Sequence, residues 1–465
     1  MPNGTFSIVI VGHGAAGLTA ALAAAEEARG AGVAADIMVV ERAAEGAHGG
    51  NTRFTPCYMR LEAPDRLSAD FVEDMIAVSG GRNDRGYFER LAAEAPATMG
   101  WLQSHGVPFH NPVYYLSVGP PRIQPIGGGE TIVRELTRAA NAAGVRFRYS
   151  CKAERLQRDA RGAIAGLGVT NAEGAGETLP ADAVVLACGG FQGDADMLHQ
   201  HFGSGGESLR LISPGTALNT GAGIRMALDV GASPAGDWNG MHIEPIDPRS
   251  ANPAPVVLVY PYGIVVDRTG KRFFDEGAGL VHETWEAFAR DIHFERPGRE
   301  VYAILDSRLR DITNFERAIR SEVPPFEAAT LAELVALIGV PARALEATVA
   351  GYNAACIGNP ARFDATDKDG LIAASALAPP KSNWARALDK PPYLAYPLIG
   401  AIAYTFGGVA TDTDARVLGA DGAIAGLYAA GEITGHFHGT APNAVAVLRA
   451  AVFGRIAGRN VVRGA

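Results

Sequence analysis

Three glycines and one acid near the start of the chain carry the clearest chemical signal. Gly12, Gly14 and Gly17 form the pattern G-x-G-x-x-G, and Glu41 follows them. In this pattern the first glycine allows a tight turn, the second lets the backbone approach a pyrophosphate, and the third lets a helix pack closely on a strand. An acid about 20 residues further on can accept hydrogen bonds from the hydroxyls of an adenosine ribose. These four residues therefore predict a dinucleotide-binding site.

The segments around these residues have the composition that such a site requires. The apolar run 7–11 indicates a buried parallel strand, the alanine-rich stretch 18–29 a helix, and the apolar run 37–40 a second strand. The alternative is a glycine turn without nucleotide binding in an ordinary α/β protein. Such a turn does not require the strand, the glycines, the helix, the second strand and the acid to follow one another at these spacings. Two later apolar runs have related endings: 183–190 ends in glycines, as strands do where an open parallel sheet binds a ligand at its carboxyl edge, and 426–432 ends in a glycine and an acid.

Length and charge limit the possible classes of protein. The chain has 465 residues, too many for one ordinary core, and a net charge of -9 without a basic stripe, so we expect no nucleic-acid partner. No apolar stretch reaches the roughly 18 residues of a membrane-spanning helix. The cysteines are scattered without a C-x-x-C pair, which argues against disulfides and a metal site and favours a cytoplasmic protein. They are Cys57, Cys151, Cys188 and Cys356.

The remaining pattern predicts a nucleotide-binding domain that is split by an insertion. From residue 236 prolines and aromatic residues become more frequent, and after residue 392 the earlier composition returns. We therefore predict an α/β fold in which a Rossmann-like domain, formed by residues 1–235 and 393–465, carries an inserted α+β capping domain at 236–392.

Several further elements follow from apolar spacing. Helices are predicted over 67–78, 85–95, 98–105, 131–143, 220–230, 331–350 and 445–459. The runs 145–149 and 163–170 are expected to pair as strands, and 263–274 to form a hairpin.

Two alternating histidines, His436 and His438, follow the last predicted strand. In an extended conformation both would point to one face. The spacing also suits a metal, but no third ligand is in sight, so we expect no metal there. Substrate binding or proton transfer and a structural role in a loop both remain open for this pair.

Four motifs together resemble those of a known flavoprotein family. VGHGAAGL, GGNT, AVVLACGGF, and GLYAAGEITG with FGRIAG are similar to motifs of soluble fumarate reductases, succinate dehydrogenase flavoprotein subunits and ketosteroid dehydrogenases. The resemblance covers nearly the whole chain. GGNTRFTPCYMR and YPYGIVVDRTGKRFFDEG look most like the tricarballylate dehydrogenase branch, in which an FAD enzyme oxidises a C–C bond of a carboxylic acid.

The resemblance implies FAD as the cofactor. It places the glycine turn on the pyrophosphate, Glu41 on the ribose, the 50–52 loop near the isoalloxazine, Glu432 on the ribityl chain and the Ala153 backbone at the adenine. The full set of expected contacts is Gly12, Gly14, Ala15, Ala16, Gly17, Glu41, Arg42, Gly50, Asn51, Thr52, Ala153, Ala187, Gly189, Gly431, Glu432, Ala446 and Val447.

One departure from the family bears on how the flavin is held. Membrane-bound relatives join a histidine of this loop covalently to the flavin. Asn51 stands at that position here, so the resemblance implies non-covalent FAD. His48, three residues upstream, is the alternative attachment point.

The catalytic residues of the family carry over only in part. Tyr404, in AYTFGG, stands where fumarate reductases have a histidine, and it is our first candidate for proton transfer. The arginine of the final substrate loop is missing, with Ala441 or Pro442 in its place. Arg310, with Arg308 as a rival, could match the capping-domain arginine. Glu276 would match a proton-relay glutamate, although the arginine partner that relatives have is absent.

Further candidates on the predicted capping domain are His242, His282 and Trp285. Because a buried dicarboxylate needs a bidentate cation for each carboxylate, the missing arginine suggests a substrate other than fumarate. Tyr404, Arg310, His436, His438 and Glu276 form the predicted catalytic set.

The leading interpretation is an FAD-dependent dehydrogenase or reductase that acts on a CH–CH bond next to a carboxyl or carbonyl group. Only one complete dinucleotide unit is visible, so electrons should come from or go to a separate donor or acceptor. Two alternatives stay open. One is an oxidase or desaturase of a larger, less charged substrate such as an enone, as in the ketosteroid branch, and the other is a redox-inactive flavin-binding protein.

Overall fold

The computed structural model describes residues 5–113, 116, 119–374 and 377–464. Its α-helices are α1 (Ala15–Ala31), α2 (Phe71–Ala77), α3 (Arg85–Ser104), α4 (Gly128–Ala142), α5 (Ala195–Phe202), α6 (Ala222–Asp229), α7 (Val281–Glu295), α8 (Leu331–Ile338), α9 (Ala342–Ala355) and α10 (Ala446–Arg463). Its strands are β1 (Phe6–Val11), β2 (Ala35–Val40), β3 (Phe109–His110), β4 (Gln124–Pro125), β5 (Arg146–Arg148), β6 (Lys152–Arg158), β7 (Ile164–Thr170), β8 (Gly176–Pro180), β9 (Ala183–Leu186), β10 (Arg210–Leu211), β11 (Pro234–Ala235), β12 (Met241–Ile246), β13 (Ile264–Asp267), β14 (Val301–Asp306), β15 (Phe326–Ala328), β16 (Cys356–Ile357), β17 (Ile372–Ala373), β18 (Tyr393–Thr405), β19 (Gly408–Val409), β20 (Arg416–Gly419) and β21 (Gly422–Ala429).

The first sheet is the predicted open parallel sheet. Its strand order is β20-β21-β9-β1-β2-β5, and all neighbours run parallel except the edge strand β20. The central strands are apolar and buried, as expected for a sheet covered on both faces. This arrangement confirms the predicted α/β, Rossmann-like fold.

Helices α1 and α10, from opposite ends of the chain, pack against each other along this sheet. Their contact is close because small residues line it. A Cβ built on Gly454 would lie 2.1 Å from Thr19 Oγ1, and one on Gly458 would lie 2.2 Å from the Ala20 carbonyl oxygen. The C-terminal segment thereby completes the layer that holds the glycine turn of β1 and α1.

The second sheet is built around the 13-residue strand β18. Its order is β10-β18-β14-β13, and β12 and β15 also pair with β18. Strand β10 precedes residue 236 and β18 follows residue 392, so this sheet takes strands from both sides of the predicted insertion. The boundaries at 236 and 392 remain a prediction. The last residues of β18 lead directly back towards the first sheet.

Three local predictions differ from the structure. The segments predicted as helices 85–95 and 98–105 form one helix, α3, which continues through Pro96. The helix predicted over 331–350 is two helices, α8 and α9, because Gly339 takes a left-handed conformation (φ 71°) and Pro341 starts the next helix. Strand β5 pairs with β2 and β7 pairs with β6 and β8, so the predicted pairing of 145–149 with 163–170 is wrong.

No helix within the described ranges is long and apolar enough to cross a membrane.

Candidate active site

A single cavity joins the carboxyl edge of the first sheet to the second sheet. Its wall takes residues from the ends of β1, β2 and β9, from the loop 50–58, from β12 and β18, and from α7 and α10. Every predicted cofactor contact except Gly17 lines it. Gly17 has a packing role, because a Cβ there would lie 1.9 Å from the Gly12 carbonyl oxygen.

The N-terminus of α1 opens into this cavity. Gly12 adopts a φ of +110°, and a Cβ on it would lie 2.4 Å from the Ala187 carbonyl oxygen, so only glycine fits the turn. The first turn of α1 carries no acidic residue and no side-chain cap on its N-cap, Gly14. The amide of Ala15 donates to Thr52 Oγ1 at 3.1 Å. Such an end suits a pyrophosphate, because helix N-termini attract anions.

Glu41 and Arg42 end the second strand at the same edge. Glu41 is buried and accepts hydrogen bonds from the amides of His13 (3.0 Å) and Ala43 (2.7 Å), which fix its carboxylate beside the glycine turn. Burial raises its pKa, and these amide bonds oppose the rise. Arg42 donates to Thr220 Oγ1 at 2.7 Å. A carboxylate held in this way is suited to ribose hydroxyls, which fits the FAD prediction.

The loop that was predicted to face the isoalloxazine is held by its asparagine. Asn51 Nδ2 donates to the Ala403 carbonyl oxygen at 2.8 Å, and Ser213 Oγ donates to Asn51 Oδ1, also at 2.8 Å. His48 does not line the cavity; its ring lies 4.4 Å from that of His13 and 5.1 Å from that of Tyr149. Asn51 therefore fixes the loop to β18 and to Ser213, and His48 lies off the cavity wall.

Glu432, which follows β21 of the first sheet, is hydrogen-bonded to the end of β18 in the second sheet. It accepts hydrogen bonds from the Thr405 amide (3.0 Å), from Asn219 Nδ2 (3.2 Å) and from Gln192 Nε2. Burial raises the pKa of Glu432 to about 7. Ala446 and Val447, the first residues of α10, lie on the same part of the wall.

Tyr404, the first catalytic candidate, faces the cavity from β18. His242 is its cross-strand neighbour on β12, and the two ring centroids are 4.8 Å apart. His242 lies between two carboxylates: Nδ1 is 2.8 Å from Glu286 Oε2 and Nε2 is 2.9 Å from Glu244 Oε1. Burial would lower the pKa of His242, but the two glutamates outweigh it and raise this pKa to about 10.

The environment of Tyr404 favours its protonated form. Burial raises the pKa of Tyr404 well above its ordinary value, and the nearby charge of Glu286 adds to the rise. The hydroxyl can therefore donate a proton at neutral pH, whereas the phenolate is disfavoured.

Cationic side chains that the sequence did not single out line the same cavity. Arg122 and Arg320 lie over the Tyr58 ring, with Cζ to centroid distances of 4.1 and 5.9 Å. Arg317 and Arg449 also contribute to the wall, as do His282 and Trp285, which the sequence analysis named as candidates. The arginines come from three separate segments of the chain, so no local sequence motif predicts that they lie together.

The other predicted catalytic residues lie outside this cavity. His436 is buried, bonds Thr411 Oγ1 at 2.8 Å and stacks on Tyr87, while His438 lies 3.2 Å from Asn83 Oδ1. Arg310 is half-exposed and pairs with Glu327. The structure thus does not bring these three residues to Tyr404.

Glu276 has an arginine partner four residues upstream. Arg272 binds its fully buried carboxylate at 2.5 Å. Lys381 Nζ lies 3.7 Å away and the Val265 amide donates to it at 2.7 Å. This network lies in the interior of the second sheet and away from Tyr404.

The fold and the cavity define a dinucleotide-binding oxidoreductase. A model of the FAD binding domain family matches residues 7–446, and the chain belongs to that family. It is an FAD-dependent oxidoreductase of the fumarate reductase and succinate dehydrogenase class, which acts on CH–CH groups.

Named relatives agree with this class. A probable fumarate reductase of Shewanella frigidimarina is 27% identical over 100% of this chain and 76% of its own length. An NADH:acrylate oxidoreductase of Vibrio harveyi is 30% identical over 80% of this chain, which spans only 36% of that protein. The open conformation of a flavocytochrome c3 fumarate reductase has a TM-score of 0.79 at 25% identity and covers 100% of this chain, which corresponds to 79% of that structure.

Proposed function

We propose that this protein transfers hydrogen between non-covalently bound FAD and a C–C bond next to a carboxyl or carbonyl group of a small carboxylic acid. A separate donor or acceptor exchanges the electrons. Among the branches considered, the tricarballylate dehydrogenase type is the one that the motifs favour. The observation that carries the proposal is the single cavity in which the FAD cradle, Tyr404 and several arginines share one wall.

The arginines give the substrate its place. Carboxylates bind arginine through paired, charge-assisted hydrogen bonds, and such pairs are strong where water is excluded. Arg122 and Arg320, which both contact the Tyr58 ring, would hold a carboxylate in this part of the cavity. FAD, when bound, accepts or supplies the hydride.

Tyr404 would handle the proton. Because its raised pKa keeps the hydroxyl protonated, Tyr404 can give a proton to the carbon next to the carboxylate when hydrogen is added. His242, adjacent to it and stabilised as an imidazolium by Glu244 and Glu286, is the nearest store from which a proton can be replaced. By microscopic reversibility the same two groups would take up the proton when hydrogen is removed.

The flavin is proposed to be non-covalent. Asn51 stands at the attachment position, and both polar ends of its side chain are engaged by the protein. His48 packs on His13 and Tyr149, away from the cavity wall.

An oxidoreductase of a larger enone is the second candidate. Apolar side chains also line the cavity near the second sheet, among them Ala254, Val256 and Leu258. A surface of this kind suits the ring system of a hydrophobic substrate better than a tricarboxylate.

The test starts from purified protein with its bound flavin. Acid precipitation should release the yellow colour into the supernatant; colour in the pellet would contradict the proposal of non-covalent FAD. Dithionite-reduced protein is then mixed anaerobically with fumarate, aconitate, acrylate or an unsaturated 3-ketosteroid, and oxidised protein with tricarballylate or succinate. Rapid flavin reoxidation or bleaching by an acid is the expected result. A response to the ketosteroid alone would favour the second candidate.

A further inference from the structure

The second sheet extends beyond β12, and this extension forms part of the cavity wall. On one side β12 pairs with β18, and on the other side Ile246 forms an antiparallel bridge with Val256 in the extended segment 254–258. The Arg320 amide donates to the Val256 carbonyl oxygen at 2.9 Å, so the segment 318–320 lies next. Strand β18, strand β12 and these two segments therefore lie side by side in this order.

Each of these four rows presents different chemistry to the cavity. Tyr404 lies on the first row and His242 on the second. The third row presents alternate residues, because residues two apart in an extended segment face the same side. These residues, which we call the apolar strip, are Ala254, Val256 and Leu258. The fourth row presents Arg320. A proton donor, an apolar strip and a cation thus follow one another along the wall.

Arg320 is open to a ligand. It is half-buried, and its Cζ lies 5.9 Å from the centroid of the Tyr58 ring. Its guanidinium forms no salt bridge with any residue that the structure describes, and its charge acts on Glu244 only from beyond salt-bridge distance. A carboxylate can therefore bind Arg320 through paired, charge-assisted hydrogen bonds without displacing an ion pair.

Tyr404 and Arg320 are far apart along this wall. Tyr404 is opposite His242 on β12. Arg320 is opposite Val256, which is in turn opposite Ile246, four residues further along β12. At about 4.8 Å per row and about 3.4 Å per residue, the two backbones are about 14 Å apart across the sheet and about 14 Å apart along it. Because strand side chains stand roughly perpendicular to the sheet, most of this separation remains between the hydroxyl and the guanidinium.

Two cations act next to Tyr404, and both are engaged by the protein. His242 lies between two glutamates, at 2.8 and 2.9 Å. Arg449 is 1% exposed, donates to the Thr434 carbonyl oxygen and packs on the Phe437 ring. A carboxylate beside Tyr404 would therefore meet the two glutamates without a cation of its own, which is unfavourable in a buried site.

We propose that the substrate is an elongated oxo acid with its reacting C–C bond next to a carbonyl at Tyr404 and its carboxylate on Arg320. The apolar strip binds the hydrocarbon part between them. This inference rests on the proposed function and narrows it, because the group that activates the bond is the carbonyl and the carboxylate is remote. Fumarate and tricarballylate do not fit this spacing, since each of their carboxylates lies within two bonds of a reacting carbon.

The proton chemistry of Tyr404 suits such a substrate. When hydrogen is added to an enone, the carbon α to the carbonyl takes the Tyr404 proton and the β carbon takes a hydride, which FAD supplies when reduced. Two electrons and two hydrogens thereby enter the C=C bond, and the saturated ketone leaves with its carboxylate unchanged. Hydrogen removal reverses these transfers.

The test measures binding to the oxidised, flavin-loaded protein by isothermal titration calorimetry. The probes are (3-oxocyclohex-1-enyl)acetate and the corresponding butanoate and hexanoate, which place the carboxylate at increasing distance from the enone. Their methyl esters are the uncharged controls, and fumarate and tricarballylate are the short acids. We compare wild type with Arg320→Gln, Arg320→Lys, Leu258→Ala and Arg268→Gln.

Arg268→Gln is the matched control, because Arg268 is half-exposed, pairs with Glu300 at 3.0 Å and does not line the cavity. For wild type, we expect the ratio of acid to ester affinity to rise at least about tenfold from the acetate to the hexanoate, since only the longer acid reaches the guanidinium. The ester series corrects for the added apolar surface.

The variants separate the charge from the apolar strip. Arg320→Gln should weaken hexanoate binding by about 10- to 100-fold and leave its ester unchanged, because the charge-assisted hydrogen bonds are lost. Arg320→Lys should weaken hexanoate binding less, and Leu258→Ala should weaken acid and ester alike. Arg268→Gln should bind all probes like wild type.

The outcomes distinguish this inference from the proposed function. An acid-to-ester ratio that does not rise with length, hexanoate binding that Arg320→Gln leaves unchanged, or no binding of the oxo acids would overturn the inference. If dithionite-reduced protein is reoxidised by fumarate or aconitate but not by the oxo acids, the proposed function stands and this inference falls. Hexanoate that binds through Arg320 but does not reoxidise the flavin would support the site and count against the proposed reaction.

Discussion

Tyr404 is the residue whose hydroxyl our proposal needs most. Tyr404→Phe removes the proton donor and keeps the ring that packs on His242 and Phe406. We expect kcat/KM to fall by about 10² to 10⁴, the usual contribution of a positioned acid, with flavin content unchanged. Steady-state rates with a reduced dye as electron donor measure the loss. A variant as active as wild type would assign the proton to another group.

The raised pKa of His242 predicts how the stability of the protein depends on pH. Its pKa is raised to about 10, so the folded protein binds this proton more tightly than the unfolded chain does. The contribution to the free energy of unfolding is therefore complete below pH 6.5 and is lost as the pH rises towards 10. Lys381, whose pKa burial lowers to about 8, acts in the opposite direction in the upper part of this range.

The effect of His242 on the pH dependence of the free energy of unfolding can therefore be isolated only by comparing wild type with a His242 variant. His242→Gln leaves Glu244 and Glu286 buried without their shared cation, and it should be less stable than wild type by about 3 kcal/mol near pH 7. The difference between the two proteins should shrink steadily from pH 7 to 10. Urea unfolding at several pH values measures it, and a difference that stays constant across this range would show that His242 is not charged in the folded protein.

The close contact between helices α1 and α10 depends on glycines, which have no side chain to hold the two helices apart. Gly458→Ala would place a Cβ 2.2 Å from the Ala20 carbonyl oxygen, so we expect a loss of about 1 to 3 kcal/mol in spite of alanine's better helix propensity. Gly351→Ala, at an exposed position of α9 with open space around it, is the control and should gain up to about 1 kcal/mol. Equal effects of the two substitutions, measured by urea unfolding, would contradict close packing at this contact.

The elements show which parts of a fold a sequence can predict. The strands and helix around Gly12 were predictable because their signals are local and agree with one another. The helix break predicted near Pro96 is absent. The buried face of α3, with Leu91, Ala95 and Met99, stabilises a continuous helix in spite of the proline. The break between α8 and α9 could have been predicted from the sequence, because Gly339 is a typical helix stop and Pro341 follows it closely.

Long-range pairing determines what local patterns left open. The partners β12 and β14 place strand β18 in the second sheet, and they are distant from it in sequence. Likewise Arg122, Arg320 and Arg449 come together from distant segments without a motif. The FAD cradle could be predicted because most of its wall follows local glycine patterns, whereas the substrate side depends on tertiary contacts.

For the whole molecule, flavin binding should control stability. The cavity takes its walls from both sheets, so FAD bound there would be held by residues of both. A ligand that binds only the folded state adds about 2.7 kcal/mol at a hundred times its dissociation constant. We expect flavin-free protein to melt at a lower temperature and to regain its midpoint as FAD is added. FMN, which lacks the adenosine for Glu41 and Ala153, should restore less. Equal rescue by both flavins would contradict the predicted adenosine contacts.

The pairing of α1 with α10 also sets an order of events during synthesis. The first of these helices leaves the ribosome roughly 400 residues before the second, which at 5 to 20 residues per second is a delay of about 20 to 80 s. Throughout that time the alanine-rich face of α1 lacks its native cover. The glycine turn of the nascent chain therefore reaches its final support only after α10 has been made, and translation that stops before α10 is complete would leave α1 without this cover.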